Sequence, residues 1–148
     1  ELILKRLRPI ARKKDVEVVF ESVRPVVAEV DEVKMTLIMT NLVENAIKHG
    51  MISPDDPFSI DINVQLKQNA LYIIIGNDGV RIHLEQMQKL LDFNIEQQEI
   101  LDFDQNSYGV QNIHRRICIL CGAEYGLSYE IRDERTYCIV RLPVKTTE

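Results

Sequence analysis

The side chains best suited to chemistry lie between Asn41 and His49. At roughly 100° per residue, a helix here sets Glu44, Asn45, Lys48 and His49 within about 80° of Asn41. The opposite arc carries Met35, Met39, Leu42, Val43, Ala46 and Ile47. A helix packed on one side needs a polar face as well as an apolar one, so amphipathicity alone would account for the polarity. It does not account for two asparagines four residues apart, because asparagine is a mediocre helix former. Their carboxamides offer neutral carbonyl oxygens to a hard cation such as Mg²⁺, which keeps several waters and takes substrate phosphates as further ligands. A solvated helix face and a metal-and-phosphate site both stay open at this point. The three cysteines offer less. Cys118 and Cys121 form a C-x-x-C and Cys138 stands apart, whereas zinc or redox chemistry wants a second pair or a strand–helix redox context. Set among Ile117, Ile119 and Leu120, the pair reads as small buried hydrophobes, and unpaired thiols fit a reducing compartment.

These residues need a scaffold, and the composition allows one. The chain has 148 residues, 45% hydrophobic and 28% charged, with a net charge of −5. One domain of this size buries about two thirds of its unfolded surface. Disorder, collagen-like repeats and a disulfide framework are excluded. No apolar run approaches the ~18 residues of a membrane span, and the acidic balance without Trp argues against nucleic acid as a partner. The chain opens on Glu1 rather than Met, which points to a piece of something longer. Residues 1–14 read as a linker helix with six basic residues, Lys5, Arg6, Arg8, Arg12, Lys13 and Lys14, weakened by Pro9. That cluster is either a solvated face or a docking surface for a neighbouring segment.

Alternation predicts a strand over Asp15 to Phe20 and a second over Val26 to Glu29, after the extended Arg24-Pro25 pair. A long helix runs from an Asp31 cap to the Gly50 stop. Strands follow at Ser59 to Leu66 and Leu71 to Ile75, joined by the turn Lys67-Gln68-Asn69. Helices are expected over Leu84 to Leu91 and Gly109 to Cys121, then strands over Leu127 to Ile131 and Tyr137 to Leu142. The acidic stretch between Leu91 and Gly109 has no periodicity and is longer than ordinary loops, the mark of a lid. This order predicts an α/β (α+β) two-layer sandwich, with helices on one face of a mixed sheet.

Four stretches in order carry a resemblance. Asn41-Leu-Val-Glu44-Asn45-Ala-Ile-Lys48-His49-Gly50 resembles the N box of the GHKL ATPase superfamily, in its sensor histidine kinase branch. Asn77-Asp78-Gly79-Val80-Arg81-Ile82 resembles the G1 box, and Ser107-Tyr108-Gly109-Val110-Gln111-Asn112-Ile113-His114-Arg115-Arg116-Ile117 the G2 box with its following helix. Arg135-Thr136-Tyr137 through Leu142-Pro143 resembles the final box. The stretch Gly109 to Gly126 looks most like LytS/YesM-type kinases.

The resemblance implies a Bergerat-type fold over 15–148 that binds ATP and Mg²⁺. It makes Asn45 the metal ligand, supported by Asn41 one turn earlier. Glu44 would polarise water or the incoming nucleophile, while Lys48 and His49 would reach phosphate oxygens. Asn77, Gly79, Arg81 and Thr136 would line the nucleotide site. Gly109 and Val110 would open a helix whose free N–H groups face phosphate, with Tyr108 beside them. The implied activity is histidine kinase: the γ-phosphoryl group of ATP passes to a histidine on a separate dimerisation domain, then to a response regulator, in the cytoplasm even if the parent protein is membrane-anchored. None of His49, His83 or His114 sits in a phosphoacceptor context, so the chain is expected to bind nucleotide without phosphorylating itself. No direct membrane contact is expected.

The chain departs from the pattern at four places. Asn77 stands at the family's adenine-reading Asp; Asp78 follows it, but a one-residue shift in an extended segment reverses the side chain, so Asn77 is preferred. Arg81, Ser107 and Arg135 replace glycines. These changes leave an alternative, a domain with a failed nucleotide site that acts by docking. A third reading, an anti-sigma-type serine kinase, fits the arginine- and histidine-bearing helix after Gly109 less well.

Overall fold

The computed structural model describes residues 8–9, 12, 17–21, 32–50, 58–79, 83–92 and 108–144. The expected strand over Val26 to Glu29, the Asp31 cap, most of the expected linker helix, residues 93–107 of the lid expected between Leu91 and Gly109, and Arg81 and Ser107 lie outside them. Arg8, Pro9 and Arg12 are helical. Among the described residues five strands and three further helices follow: β1 (Glu17–Glu21), α1 (Glu32–Gly50), β2 (Ser59–Lys67), β3 (Ala70–Asn77), α2 (Leu84–Leu91), α3 (Tyr108–Cys121), β4 (Gly126–Arg132) and β5 (Arg135–Pro143). Each of these elements, β1 included, agrees with its sequence expectation to within two residues at either end.

The strands form one sheet in the order β1-β2-β3-β5-β4. β1 runs parallel to β2, and the other three pairings are antiparallel, so the sheet is mixed as the sequence suggested. Two tight hairpins set the antiparallel register. Gln68 and Asn69 take φ of 49° and 62°, and Asp133 and Glu134 take 47° and 67°, the left-handed pair that matches strand twist.

Alternation sorts the sheet into two faces. Ile60, Ile62, Leu71, Ile73, Ile75, Leu127, Cys138 and Val140 share one face and are buried. Met35, Met39, Leu42, Val43 and Ile47 of α1, Leu91 of α2, and Val110, Ile113 and Ile117 of α3 join them in a single core cluster. The apolar arc read from the sequence of α1 is thus the arc that packs. Burial in this core pushes the Cys138 thiol up to about 12, which makes it inert hydrocarbon-like filling. The opposite face carries Asp61, Asn63, Tyr72, Gly76, Arg135, Tyr137 and Arg141.

Candidate functional site

Asn77 and Thr136 are direct cross-strand partners on β3 and β5. Both lie on the helix-facing side, continuing the rows of Ile75 and Cys138, and both are buried, at 8% and 4% exposure. Two polar side chains at the end of an apolar face suit a ligand with hydrogen-bonding edges. The Asn77 Nδ2 donates to the Asp78 carbonyl at 3.1 Å, which leaves Oδ1 as the acceptor. Asp78 turns the other way. Its Oδ1 accepts the Ser59 N–H at 2.7 Å, and its Oδ2 bonds the Ser59 hydroxyl at 3.1 Å. The alternation argument for Asn77 over Asp78 therefore matches where the two side chains go.

A second group forms where α1 meets the start of α3. Asn45 is half-buried, and its Nδ2 lies 3.5 Å from the place a Cβ on Gly109 would occupy. Asn41, one turn earlier on the same face, is also half-buried, whereas Glu44 is exposed. Val110 is buried at 7% and anchors the first turn of α3 in the core. The first turn of α3 holds no acidic residue whose charge would compete with an anion at the free N–H groups there. Lys48 and His49 occupy the last turn of α1, and Tyr108 opens α3; their side chains lie outside the described residues. Gly79 is exposed just past β3 with φ of 110°, a backbone that favours glycine.

The structure changes the meaning of Arg135. It pairs with Asp61, and its other guanidinium nitrogen lies 3.8 Å from the Asp78 carboxylate. All three stand on the face away from the helices, so the bulk that replaces a glycine stays off the Asn77–Thr136 side. Gly76 makes room for this arrangement. A Cβ there would sit 2.7 Å from the Asp61 carboxylate and 2.8 Å from the Tyr137 ring. Sequence reasoning did not single out Asp61 or Gly76. A glycine inside an isoleucine-rich strand is a usable sign of close approach, and the alternation of β2 sets Asp61 opposite Ile60 and Ile62.

His114 is the other residue the motifs left unexplained. Its Nδ1 accepts the Leu127 N–H at 2.9 Å, joining α3 to β4, with the ring proton then on Nε2. A Cβ on Gly126 would stand 2.5 Å from that nitrogen, so the ring and β4 are in close contact. Burial lowers the His114 pKa, against a backbone bond at Leu91 and the Asp92 charge, which raise it. Cys118, beside it, donates to the Tyr125 carbonyl at 3.2 Å; burial pushes its thiol up. The C-x-x-C is thus occupied with packing. Among the described residues no three His, Cys, Asp or Glu side chains converge on a metal position.

This sheet, with Asn77 and Thr136 buried on its helix side, has relatives. Residues 30–146 match the family described as histidine kinase-, DNA gyrase B-, and HSP90-like ATPases. The chain belongs to that family. The chain is 32% identical over 89 residues to an uncharacterised sensor-like histidine kinase of Staphylococcus epidermidis, covering 58% of this chain and 16% of that protein. It is 30% identical over 69 residues to the sensor histidine kinase WalK of Bacillus subtilis, covering 47% and 11%. The chain thus matches less than a fifth of the length of these two relatives. Among solved structures, the nucleotide-free catalytic domain of the histidine kinase ThkA superposes with a TM-score of 0.76 at 18% identity, covering 97% of this chain and 90% of that one. ThkA in complex with the response regulator TrrA gives 0.68 at 18% identity, covering 97% and 38%. The fold is that of sensor kinase catalytic domains. Among the described residues, no helix is long and apolar enough to cross a membrane.

Proposed function

We propose that this domain binds Mg²⁺-ATP between its helices and the sheet, and donates the γ-phosphoryl group to a histidine on another segment of a sensor kinase. The observation that carries the reading is the approach of Asn45 to Gly109, which sets a carboxamide beside the N-terminus of α3. The donor set fits Mg²⁺. Neutral amide oxygens at Asn45, with Asn41 one turn away, complement phosphate oxygens and water around a hard cation. When bound, that ion would neutralise phosphate charge and polarise the transferring group.

The chain's own residues do the remaining work in this reading. Asn77 accepts from the base at Oδ1, and the Thr136 hydroxyl stands beside it. Gly109 and Val110 present the N–H groups of α3 to phosphate, with Tyr108 flanking. Lys48, His49 and Arg81 supply positive or hydrogen-bonding groups to the phosphates, and Gly79 keeps the turn open. Glu44, exposed on the same helix, polarises water or the incoming nucleophile. Such transfer depends mainly on positioning and charge neutralisation. The acceptor histidine, on a dimerisation domain, and a response regulator are the proposed partners, in the cytoplasm. The likeness to LytS/YesM-type kinases rests on the sequence from Gly109 to Gly126 alone, and we propose it on that footing.

Calorimetric titration of the chain with ATP, with and without Mg²⁺, tests this directly. The wild type should show saturable, Mg²⁺-dependent heat. Asn45→Ala should lose about tenfold in affinity with Mg²⁺ and little without it, the size of one charge-assisted contact. Absence of saturable heat at millimolar nucleotide in folded protein would instead favour a docking module.

A further inference from the structure

Arg135 stands where the resemblance leads one to expect glycine, yet it does not enter the helix-facing side. Its position on β5 and the intervening β3 mean that it reaches across one strand to pair with Asp61 on β2. The second guanidinium nitrogen faces Asp78, 3.8 Å away. Side-chain exposure is 28% for Arg135 and for Asp61, so the pair is partly withdrawn from water. Gly76 lies beneath, and its missing side chain lets the Asp61 carboxylate and the Tyr137 ring close over the strand. Tyr137 is in turn covered by the Arg132 guanidinium, 5.1 Å from the ring centre.

The consequence lies at Asp78. Its carboxylate is held by the Ser59 backbone N–H, the Ser59 hydroxyl and the charge of Arg135. Three strands, β2, β3 and β5, are thereby tied at the point where β3 ends. The Asp78 carbonyl is the atom that accepts from Asn77 Nδ2. Fixing Asp78 therefore fixes which way the Asn77 carboxamide presents its oxygen, on the opposite face of the sheet. A planar guanidinium can engage two carboxylates at defined angles, which an ammonium cannot.

We propose that Arg135 is a positioning residue for the candidate nucleotide site. From the far side of the sheet it holds the Asn77-Asp78-Gly79 turn, and so sets Asn77 Oδ1 toward the base. This role rests on the reading of Asn77 as a base contact. Surface ion pairs contribute little to stability, so the signature is in ligand selectivity rather than in melting temperature.

The test is calorimetric titration of the 148-residue chain with Mg²⁺-ATP, adenosine and Mg²⁺-tripolyphosphate, with circular dichroism to confirm folding. Arg135→Ala should weaken ATP and adenosine about three- to tenfold, the range of one hydrogen bond, and leave tripolyphosphate unchanged. In an Asn77→Ala background the same substitution should cost ATP affinity nothing further. Arg135→Lys, which keeps the charge without the fork, should weaken ATP and adenosine by less and again spare tripolyphosphate. It carries the comparison if the alanine variant does not fold. Equal loss for all three ligands, or a full additional loss in the Asn77→Ala background, overturns the positioning role. So does unchanged ATP affinity in Arg135→Ala beside a weakened Asn77→Ala. A wild type that does not bind ATP, or an Asn77→Ala chain that binds it normally, overturns the nucleotide reading and the positioning role together.

Discussion

A side chain's worth at this site depends on which of two demands, folding or binding, it serves. Gly109 separates them. Its backbone is helical, and a Cβ there would meet Asn45 Nδ2 at 3.5 Å, an ordinary contact rather than a clash. The fold would therefore accept alanine, which is favoured over glycine in a helix by up to about 1 kcal/mol. The added methyl would nevertheless fill the gap between Asn45 and the free N–H groups of α3, where phosphate is proposed to lie. Gly109→Ala should raise the midpoint of thermal unfolding by a degree or more, roughly, while weakening Mg²⁺-ATP about tenfold or more, the scale of a displaced hydrogen bond. Scanning calorimetry and titration on one sample check both halves. A variant that is more stable and binds ATP as well as the wild type would remove Gly109 from the phosphate site. Gly76 is the counter-case, because there the space is already taken by Asp61 and Tyr137, and alanine would strain the sheet itself.

At the scale of elements, α3 is held by more than its apolar stripe. His114 accepts from the Leu127 backbone, which only a neutral imidazole can do, and burial lowers its pKa from the ordinary 6.5. The unfolded chain then takes up a proton at a pH where the folded one does not. Stability contributed by this group is complete above about pH 6.5 and is lost as pH falls below it. Melting at a series of pH values from 7.5 to 5 should show that loss. His114→Asn, whose Oδ1 can accept the same N–H without titrating, should flatten the curve; an unchanged slope would place the pH dependence elsewhere. Nothing in a motif pointed to this bond. What was legible were the elements themselves, because periodicity is local: the 3.6-residue stripe of α1 and the alternation of β2 and β5 each appear within one segment. The strand order was not legible, since the placing of β5 between β3 and β4 is decided by distant partners. The site was legible in the same partial way. Asn41 and Asn45 stood out by type and spacing, Asn77 and Thr136 only through their resemblance to the family's boxes, and alternation set Asn77 opposite Asp78. Arg135, read as a lost glycine, needed the sheet before its bond to Asp61 could be seen.

For the molecule as a whole, the distribution of the core decides how the domain should respond to its ligand. One cluster of buried side chains draws on α1, α2, α3 and strands β2 to β5, so these elements share a single core. Unfolding should then be one cooperative step, with the same midpoint by circular dichroism and by tyrosine fluorescence. The candidate site is spread over the same elements, with Asn41 and Asn45 on α1, Gly109 and Val110 on α3, Asn77 on β3 and Thr136 on β5. A nucleotide held by all of them braces a unit that is already cooperative, and binding to the folded state alone raises its free energy of unfolding. At a ligand concentration a hundred times the dissociation constant that gain is about 2.7 kcal/mol. For a domain of this size it corresponds to an upward shift of roughly 8 °C. Mg²⁺-ATP should therefore move the entire transition without splitting it, in scans followed by both probes. Two transitions, of which nucleotide moved only one, would mean that the helices and the sheet fold separately and that the ligand touches one layer alone.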